Sequence, residues 1–469
     1  MRYEKDNIGS LPLPDDAVYG INSARAVSNF PVSGERVNPY FIKAYLQVKL
    51  AAAETNNNCG LLDHQKYEAI VKAIENLLDE TDKAIEAKDY SIFSGIIVDP
   101  YQGGAGTSLN MNINEIIANT ALKLSGKNYG EYLFIHPIDD VNLSQSTNDT
   151  YVTALKVASI VLLRDLTTAI SELQRELQAK EKEFVGIIKL ARTQMQDAVP
   201  VTLGQEFGAF AQAIARDRWR LYNSEERLRS VNLGGTAVGN SINANRDFVL
   251  NVNNELKKIT ALPIAKAEDL IDATQNLDVF VEVHGLIKAG AVSIIKICND
   301  LRFLSSGPQG GIGEITLPEM QAGSSIMPGK VNPVILENAI QVAELIKGHD
   351  VVISNVAGSG NLELNAFTPL LAHLFLKSLI MMRDMLRNLS QKCISGIKAN
   401  KDRCKENLLS SSAFAATLIN RFGYEKISEI VKEAYLQNKS FSQLLKEKNI
   451  IQEKELIDLL QREIGIKIE

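Results

Sequence analysis

NDTYVTALKVASIVLLRDLTTAISELQRELQAKEKE, residues 148–183, decides the fold. Leu155, Ala158, Leu162, Leu166, Ile170, Leu173 and Leu177 recur three or four residues apart, the spacing that lines one face of an α-helix. No proline interrupts the run before Pro200. A helix of roughly 35 residues would be about 50 Å long. Working outward, the same periodicity predicts long helices over about 272–304, 332–356 and 369–391. Helices so far above the usual ~11–12 residues argue for a long bundle, not a compact α/β domain. Upstream, Asn38-Pro39 supplies a cap and a first-turn proline for a helix that Cys59-Gly60 ends. Another starts after Asp63, with Ile70, Ala73, Ile74, Leu77 and Leu78 on one face. Alternating strand patterns are scarce. The chain therefore reads as all-α: an N-terminal domain over 1–140, a central long-helix bundle over 141–396 and a small C-terminal helical domain over 397–469. Ala158 and residues 160–163 form a wide apolar face, which predicts a homo-oligomer.

Composition narrows the function. Of 469 residues, 45% are hydrophobic and 23% charged, with a net charge of −6, the profile of a soluble globular protein without a nucleic-acid footprint. An anionic substrate must then be drawn in by local groups. No apolar run is long enough to span a bilayer. The opening residues Met1-Arg2-Tyr3-Glu4-Lys5-Asp6 have no apolar stretch behind their charges, so a cytoplasmic protein without a signal peptide is expected. Cys59, Cys298, Cys393 and Cys404 are scattered, with no C-x-x-C spacing, and read as reduced thiols and not as a metal site.

Four polar loops lie between the helices: Gln102-Gly103-Gly104-Ala105-Gly106-Thr107-Ser108, Ser144-Gln145-Ser146-Thr147-Asn148-Asp149, Arg192-Thr193-Gln194-Met195-Gln196-Asp197, and Gly323-Ser324-Ser325-Ile326-Met327-Pro328-Gly329-Lys330-Val331-Asn332-Pro333. Singly, each has a plain reading. Residues 146–149 could cap the long helix, Asn332-Pro333 is an ordinary helix start, and Lys330 could be a solvated surface lysine. Gly311-Ile312-Gly313 follows a helix and lacks the third glycine of a dinucleotide loop, and Val331 stands where a phosphate loop needs Ser or Thr. Neither Ser324 nor Ser325 sits in a G-x-S-x-G elbow.

Together the loops carry more. Residues 323–333 match, position by position, the signature G-S-S-x-M-P-x-K-x-N-P, and the chain thereby resembles the aspartase/fumarase superfamily. The other three loops resemble that family's remaining site segments in the same order. The resemblance implies a homotetramer with a central bundle of long helices and active sites shared between three chains. It also implies elimination next to a carboxylate-bearing carbon, giving fumarate or a fumaryl product. Such chemistry removes a weakly acidic proton and puts a second negative charge on the neighbouring carboxylate, so it needs preorganised donors and a base on the opposite side. The glycine-rich loop offers bare N–H groups. Thr107, Ser146 and Thr147 offer hydroxyls at helix starts, where the dipole favours negative charge, and Asn148, Lys330 and Asn332 add donors. The base implied by the resemblance is Ser324, its alkoxide helped by Gly323, Ser325 and Lys330, in a loop whose terminal glycines would let it close over substrate.

Within the superfamily the aspartase branch is closest. The first loop and Leu317-Pro318-Glu319-Met320-Gln321-Ala322 resemble aspartase sequences. Fumarases carry histidine where this chain has Gln194. Expelling hydroxide needs an acid, which glutamine cannot be, whereas ammonia can leave unaided; Gln194, beside Thr193, would instead hydrogen-bond a carboxylate. Fumarate hydration and elimination from a substituted aspartate remain alternatives. The run Asn240-Ser241-Ile242-Asn243 departs from the family's usual T-G-L-N, and Ala366 stands in Asn365-Ala366-Phe367-Thr368-Pro369 where a valine is usual. Some superfamily members are non-catalytic lens proteins, but the expected polar site residues are all present here. Arg25 matches an aspartase arginine and equally suits an ion pair. No organic cofactor is read from the sequence; some aspartases are activated by a divalent metal, and no site for one is legible.

Overall fold

The computed structural model describes residues 1–89 and 93–465. Helix accounts for 62% of it, as the periodicity requires. The chain divides into two compact units, the first comprising Met1–Thr167, Arg220–Lys288 and Leu345–Met381, the second Thr168–Trp219, Ala289–Glu344 and Met382 onward. Every cut falls within a helix, so the units interleave along the sequence.

The helices, in chain order, begin with α1 (Ile21–Asn29), α2 (Pro39–Asn58), α3 (His64–Ala87), α4 (Thr107–Leu124) and α5 (Thr147–Glu183). They continue with α6 (Leu203–Leu228), α7 (Arg246–Thr260), α8 (Leu270–Gln275), α9 (Asp278–Leu304), α10 (Val334–Ala357) and α11 (Thr368–Lys392). Five shorter helices follow between Lys401 and Glu463. The caps are those expected. Asn38 accepts from the Tyr40 N–H and Pro39 opens α2, while Asp63 accepts from Gln65 and Lys66 at the start of α3. The long helix α5 runs 37 residues. Two starts are corrected. The predicted 272–304 helix is broken at Asn276 and Leu277: Asn276 takes extended backbone (φ −101°, ψ 136°) and ends a separate six-residue α8, which Asp269 caps at its start. α10 begins at Val334, and Asn332 does not cap it, since its side-chain amide turns back to the Gly323 carbonyl.

In the first unit α2 packs on α3 and α7, and α4 packs on α1 and α3. Most of the wide apolar face of α5 is covered within the chain: Ala158, Ile160, Leu162 and Leu163 are buried, and Val161 alone of that face is exposed. The short helix α1 is held by one carboxylate. Glu115 of α4 accepts from the backbone N–H groups of Gly20, Asn22 and Ser23, and from the Asn22 amide and Ser23 hydroxyl.

Strands are confined to two-stranded pairs among the described residues, the first being β1 (Arg2–Lys5) with β2 (Ser10–Leu13) in the first unit. The second unit holds the longest, the antiparallel hairpin β3 (Ile188–Thr193) and β4 (Gln196–Thr202), with a bulge between Leu190 and Arg192. Ile188 and Leu190 of β3 join Leu408, Phe414, Phe441 and Leu460 in one apolar core with the C-terminal helices. No helix among the described residues is long and apolar enough to cross a membrane. All four cysteines are free, and burial pushes the thiols of Cys298, Cys393 and Cys404 up to about 12.

Glu115→Ala is expected to leave three N–H groups at the start of α1 without an acceptor and to destabilise by about 3 kcal/mol or more. Thermal unfolding measures the loss, and amide exchange at Gly20, Asn22 and Ser23 should quicken before the rest of the first unit does.

Candidate functional site

The predicted site residues fall in both units. Thr107, Ser146, Thr147 and Asn148 belong to the first, and Thr193, Gln194, Ser324, Lys330 and Asn332 to the second.

In the first unit, Gly104, Ala105 and Gly106 all have positive φ (80°, 55° and 95°), winding the loop into the start of α4. Gly106 must be glycine, because a Cβ there would lie 2.2 Å from the Tyr151 ring. Thr107 donates its hydroxyl to the Gly104 carbonyl at 2.8 Å. Its proton is therefore committed, and what it presents outward is acceptor capacity, contrary to the donor role expected of it.

At the start of α5 the capping reading holds. The Ser146 hydroxyl accepts from the Asn148 N–H at 3.3 Å, and its own proton stays available to a ligand. The Thr147 hydroxyl accepts from the Asn110 amide at 3.1 Å and likewise keeps its proton. The Asn148 amide donates to the Ala237 carbonyl at 2.7 Å, drawing the turn after Asn232 against this helix start.

Beneath these residues lies a polar layer the sequence reading missed. Asp149 is fully buried and accepts from the backbone N–H groups of Ser146 (3.0 Å), Gly234 (3.1 Å) and Thr236 (3.0 Å). Burial pushes its carboxyl up to about 6, against the pull of those donors. Lys49 of α2 is also buried, and its ammonium donates to the side-chain carbonyls of Asn142 and Gln145, each at 3.0 Å. Asn142 accepts further bonds from Asn110 and Asn114 at 3.1 Å. A lysine on a helix face that is otherwise apolar was the available signal.

In the second unit, Thr193 and Gln194 are exposed at the tip of the β3–β4 hairpin, where Thr193 pairs with Gln196. Gln194 and Met195 have φ of 52° and 61°, the pattern of a two-residue type I′ turn, which usually takes Asn-Gly. The base of β3 is fixed by charge. Glu314, fully buried, meets Lys189 at 3.0 Å and Arg192 at 2.9 Å, and Asn407 donates to it at 3.0 Å.

The signature loop closes on itself. The Gly323 N–H donates to the Lys330 carbonyl at 2.9 Å, and the Asn332 amide donates to the Gly323 carbonyl at 2.8 Å. Gly323 allows this approach, since a Cβ would lie 2.2 Å from the Lys330 oxygen. Inside the loop the Ser324 hydroxyl oxygen accepts two backbone N–H groups, from Ile326 at 3.2 Å and Met327 at 3.1 Å. The donors are thus these two residues, not Gly323 and Ser325 as expected. Ser324 is half-buried and Lys330 exposed.

Elsewhere in the first unit Asp350, His284 and Ser378 line up at 3.0 Å each, with His349 on the same serine at 2.9 Å. This resembles a hydrolase triad, but Ser378 and His284 are 0% exposed, so no substrate reaches them. Arg25 grips Asp6 with two bonds of 2.6 and 2.9 Å and holds that carboxyl down at about 2, so the ion-pair reading accounts for it. Among the described residues no group of three or more His, Cys, Asp or Glu side chains could hold a metal ion.

Residues 9–348 match the lyase family. The chain is 42% identical over 460 residues to the aspartate ammonia-lyase of a Bacillus species, covering 98% of this chain and 96% of that one. It is also 42% identical to the aspartate ammonia-lyase of Helicobacter pylori, covering 99% and 97%. A fumarate lyase:delta crystallin from Brucella melitensis bound to cobalt superposes with a TM-score of 0.92 at 41% identity over 99% of each chain. A class II fumarase from Schistosoma mansoni does so with a TM-score of 0.88 at 28% identity, again over 99% of each chain.

Asp149→Asn should orphan at least one of the three N–H groups that converge on this side chain, at about 1–3 kcal/mol. Denaturant unfolding measures that loss. Amide exchange should quicken at Gly234 and Thr236, while exchange at α3 stays unchanged.

Proposed function

The chain belongs to the lyase family of the aspartase/fumarase superfamily, and from that membership we propose that it is an aspartate ammonia-lyase, reversibly eliminating ammonia from L-aspartate to give fumarate. The observation that carries the chemistry is the Ser324 oxygen. A free serine is a poor base, but one that already receives two backbone N–H groups has its alkoxide form stabilised before substrate arrives. Ser324 takes the C3 proton. The electron pair moves onto the neighbouring carboxylate, which becomes an enediolate-like dianion. Ser146 and Thr147, each with a free hydroxyl proton at the positive end of α5, answer that charge, together with Lys330. The pair then returns to form the double bond as the C–N bond breaks and ammonia leaves. Thr107, whose proton is committed, is suited to accept from the substrate ammonium. Thr193 and Gln194 hydrogen-bond the second carboxylate, and Asn332 acts by holding the loop. The loop from Gly323 to Pro333 closes over the substrate and excludes water.

Aspartate is favoured over malate by the full-length aspartate ammonia-lyase relatives and by Gln194, which supplies no proton to a departing hydroxide. The protein should convert L-aspartate to fumarate, followed by ultraviolet absorbance, and act on L-malate far more slowly. Robust dehydration of malate with no action on aspartate would overturn the assignment.

The enzyme is a cytoplasmic homotetramer whose sites draw on three chains, with no nucleic-acid or membrane partner and no organic cofactor. Three domains, divided near residues 140 and 396, organise each chain. Exposed apolar residues on its long helices support self-assembly: Trp219 and Tyr222 on α6, Val292 on α9, and Leu345 and Val351 on α10. Burying such residues between copies is the usual fate of large exposed apolar side chains on a bundle. Ser324→Ala should lower turnover by a factor of about 10³ or more without unfolding the protein, and Ser325→Ala should be milder. Thr193→Ala should also be inactive. If Ser324 and Thr193 reach one site from different chains, refolding the two variants together should restore activity at about a quarter of the sites. Each variant refolded alone is the control. Mixed tetramers as inactive as their parents would refute site sharing.

A further inference from the structure

Lys49 has an unusual set of neighbours. It is 1% exposed, yet among the described residues its ammonium touches no carboxylate and bonds only to the neutral side-chain carbonyls of Asn142 and Gln145. The nearby acid, Asp149, spends its oxygens on three backbone N–H groups. A buried cation normally contacts an anion, because desolvation is otherwise unrepaid. The layer around Lys49 is therefore short of a contacting anion. Gln145 directly precedes Ser146, Thr147 and Asn148, and Asn142 shares its donor Asn110 with the Thr147 hydroxyl.

We propose that Lys49 is a positioning residue for the lyase reaction: its ammonium fixes residues 145–148 through Asn142 and Gln145, and keeps a positive charge behind the N-terminus of α5 for a substrate carboxylate. The inference rests on the reading above that this turn receives a carboxylate. Lys49 does not touch the reacting atoms; it acts through the turn and through its field. The substrate supplies the missing anion, so the lysine holds its proton more tightly when the site is filled than when it is empty.

Titration follows from the same geometry. Burial pulls the Lys49 ammonium down to about 7, and Asp149 opposes the shift. The titratable groups around it are Tyr45 on its own helix, 5.7 Å from ring centroid to ammonium, and Asp149 on α5. Tyr151 of α5 packs on Tyr45. The turn before α5 presents the neutral Asn142 and Gln145, and behind Asn142 stand the neutral Asn110 and Asn114 of α4. Above about pH 7 the empty site loses this proton, and an arriving dicarboxylate must restore it.

Succinate is the probe, since it lacks an amine and stays a dianion throughout. Calorimetry of the wild-type protein between about pH 7 and pH 8.5, in two buffers of different ionisation enthalpy, should show proton uptake on binding and affinity falling up to about tenfold per pH unit. Lys49→Met and Lys49→Gln should bind succinate about tenfold more weakly at pH 7 and lose both the uptake and the pH slope. Their KM for L-aspartate should rise more than kcat falls. A merely structural lysine would change the melting temperature and leave the slope in place. Proton uptake absent from the wild type overturns the proposal even if neither variant folds, and so do folded variants that bind within about twofold of wild type with the slope intact. Wild-type turnover of L-aspartate is measured first. Its absence fails the functional reading before Lys49 is altered, whereas turnover with an unaffected variant fails the lysine assignment alone.

Discussion

One carboxylate, Asp149, gathers three backbone N–H groups from two separate segments of the chain, and the first unit's share of the site is built on that convergence. Charge-assisted bonds of this kind contribute about 1.5–3 kcal/mol each. They fix the direction in which α5 starts and seat the turn from Asn232 to Gly239 against it. The joint is reinforced from both sides. The Asn232 amide donates to the Asn148 carbonyl and to the Thr274 hydroxyl of α8, and the Asn148 amide donates to Ala237. Thr236 is held at φ 57° although β-branched and buried, and its hydroxyl has no hydrogen-bond partner. Such a conformation persists only where neighbours overdetermine it, and the bonds to Asp149 are what overdetermine it here.

The second unit solves the same problem differently. Its contribution sits on two reversals, the Gln194-Met195 turn and the signature loop. The first places two non-glycine residues in left-handed backbone, at a strain of about 1–3 kcal/mol each. The rigidity that bears it comes from below, where Glu314 joins Lys189 and Arg192 and where Ile188 and Leu190 enter the C-terminal core. The signature loop needs no such anchor, because its own backbone bonds hold Ser324 in place. Left-handed backbone occurs in loops that bear predicted site residues, at Ala105, Ser144, Gln194 and Met195, and also away from them, at Lys88, Ala261 and Leu362.

The helices were legible because they obey one rule at length. Thirty-six residues with a three-to-four spacing leave no alternative to α5, and Asn38 and Asp63 cap as their chemistry dictates. The break before α9 was not legible, because apolar spacing continues across it and the division is one extended residue, Asn276, with no glycine or proline to announce it. The hairpin at Gln194-Met195 carries none of the Gly or Asn that announces such a turn. The site residues were found as segments, by resemblance, but their hydrogen-bond roles were not. Whether Thr107 donates or accepts depends on where its proton already goes, and that is fixed by Gly104 in space and not by spacing. Lys49 and Asp149 escaped for a related reason. Each lies in a stretch that reads correctly as helix; the apolar face around Lys49 was the one sign that its charge is buried, and Asp149 stands in a run that reads simply as a cap.

Lys49 and Asp149 also bend the dependence of stability on pH in an uncommon direction. Asp149 holds its proton up to about pH 6 when folded but only to about 3.8 when unfolded, so its contribution falls as pH rises between those values. Lys49 releases its proton at about 7 when folded and 10.5 when unfolded, so its contribution recovers only as pH climbs above 7. Most proteins gain stability from their titrating groups near neutrality; this pair instead carves a shallow valley there, with its floor between about pH 6 and 7. Variants selected for heat resistance alone at neutral pH would therefore be drawn toward erasing the Lys49 charge, while the three N–H groups that Asp149 receives would keep that carboxylate in place.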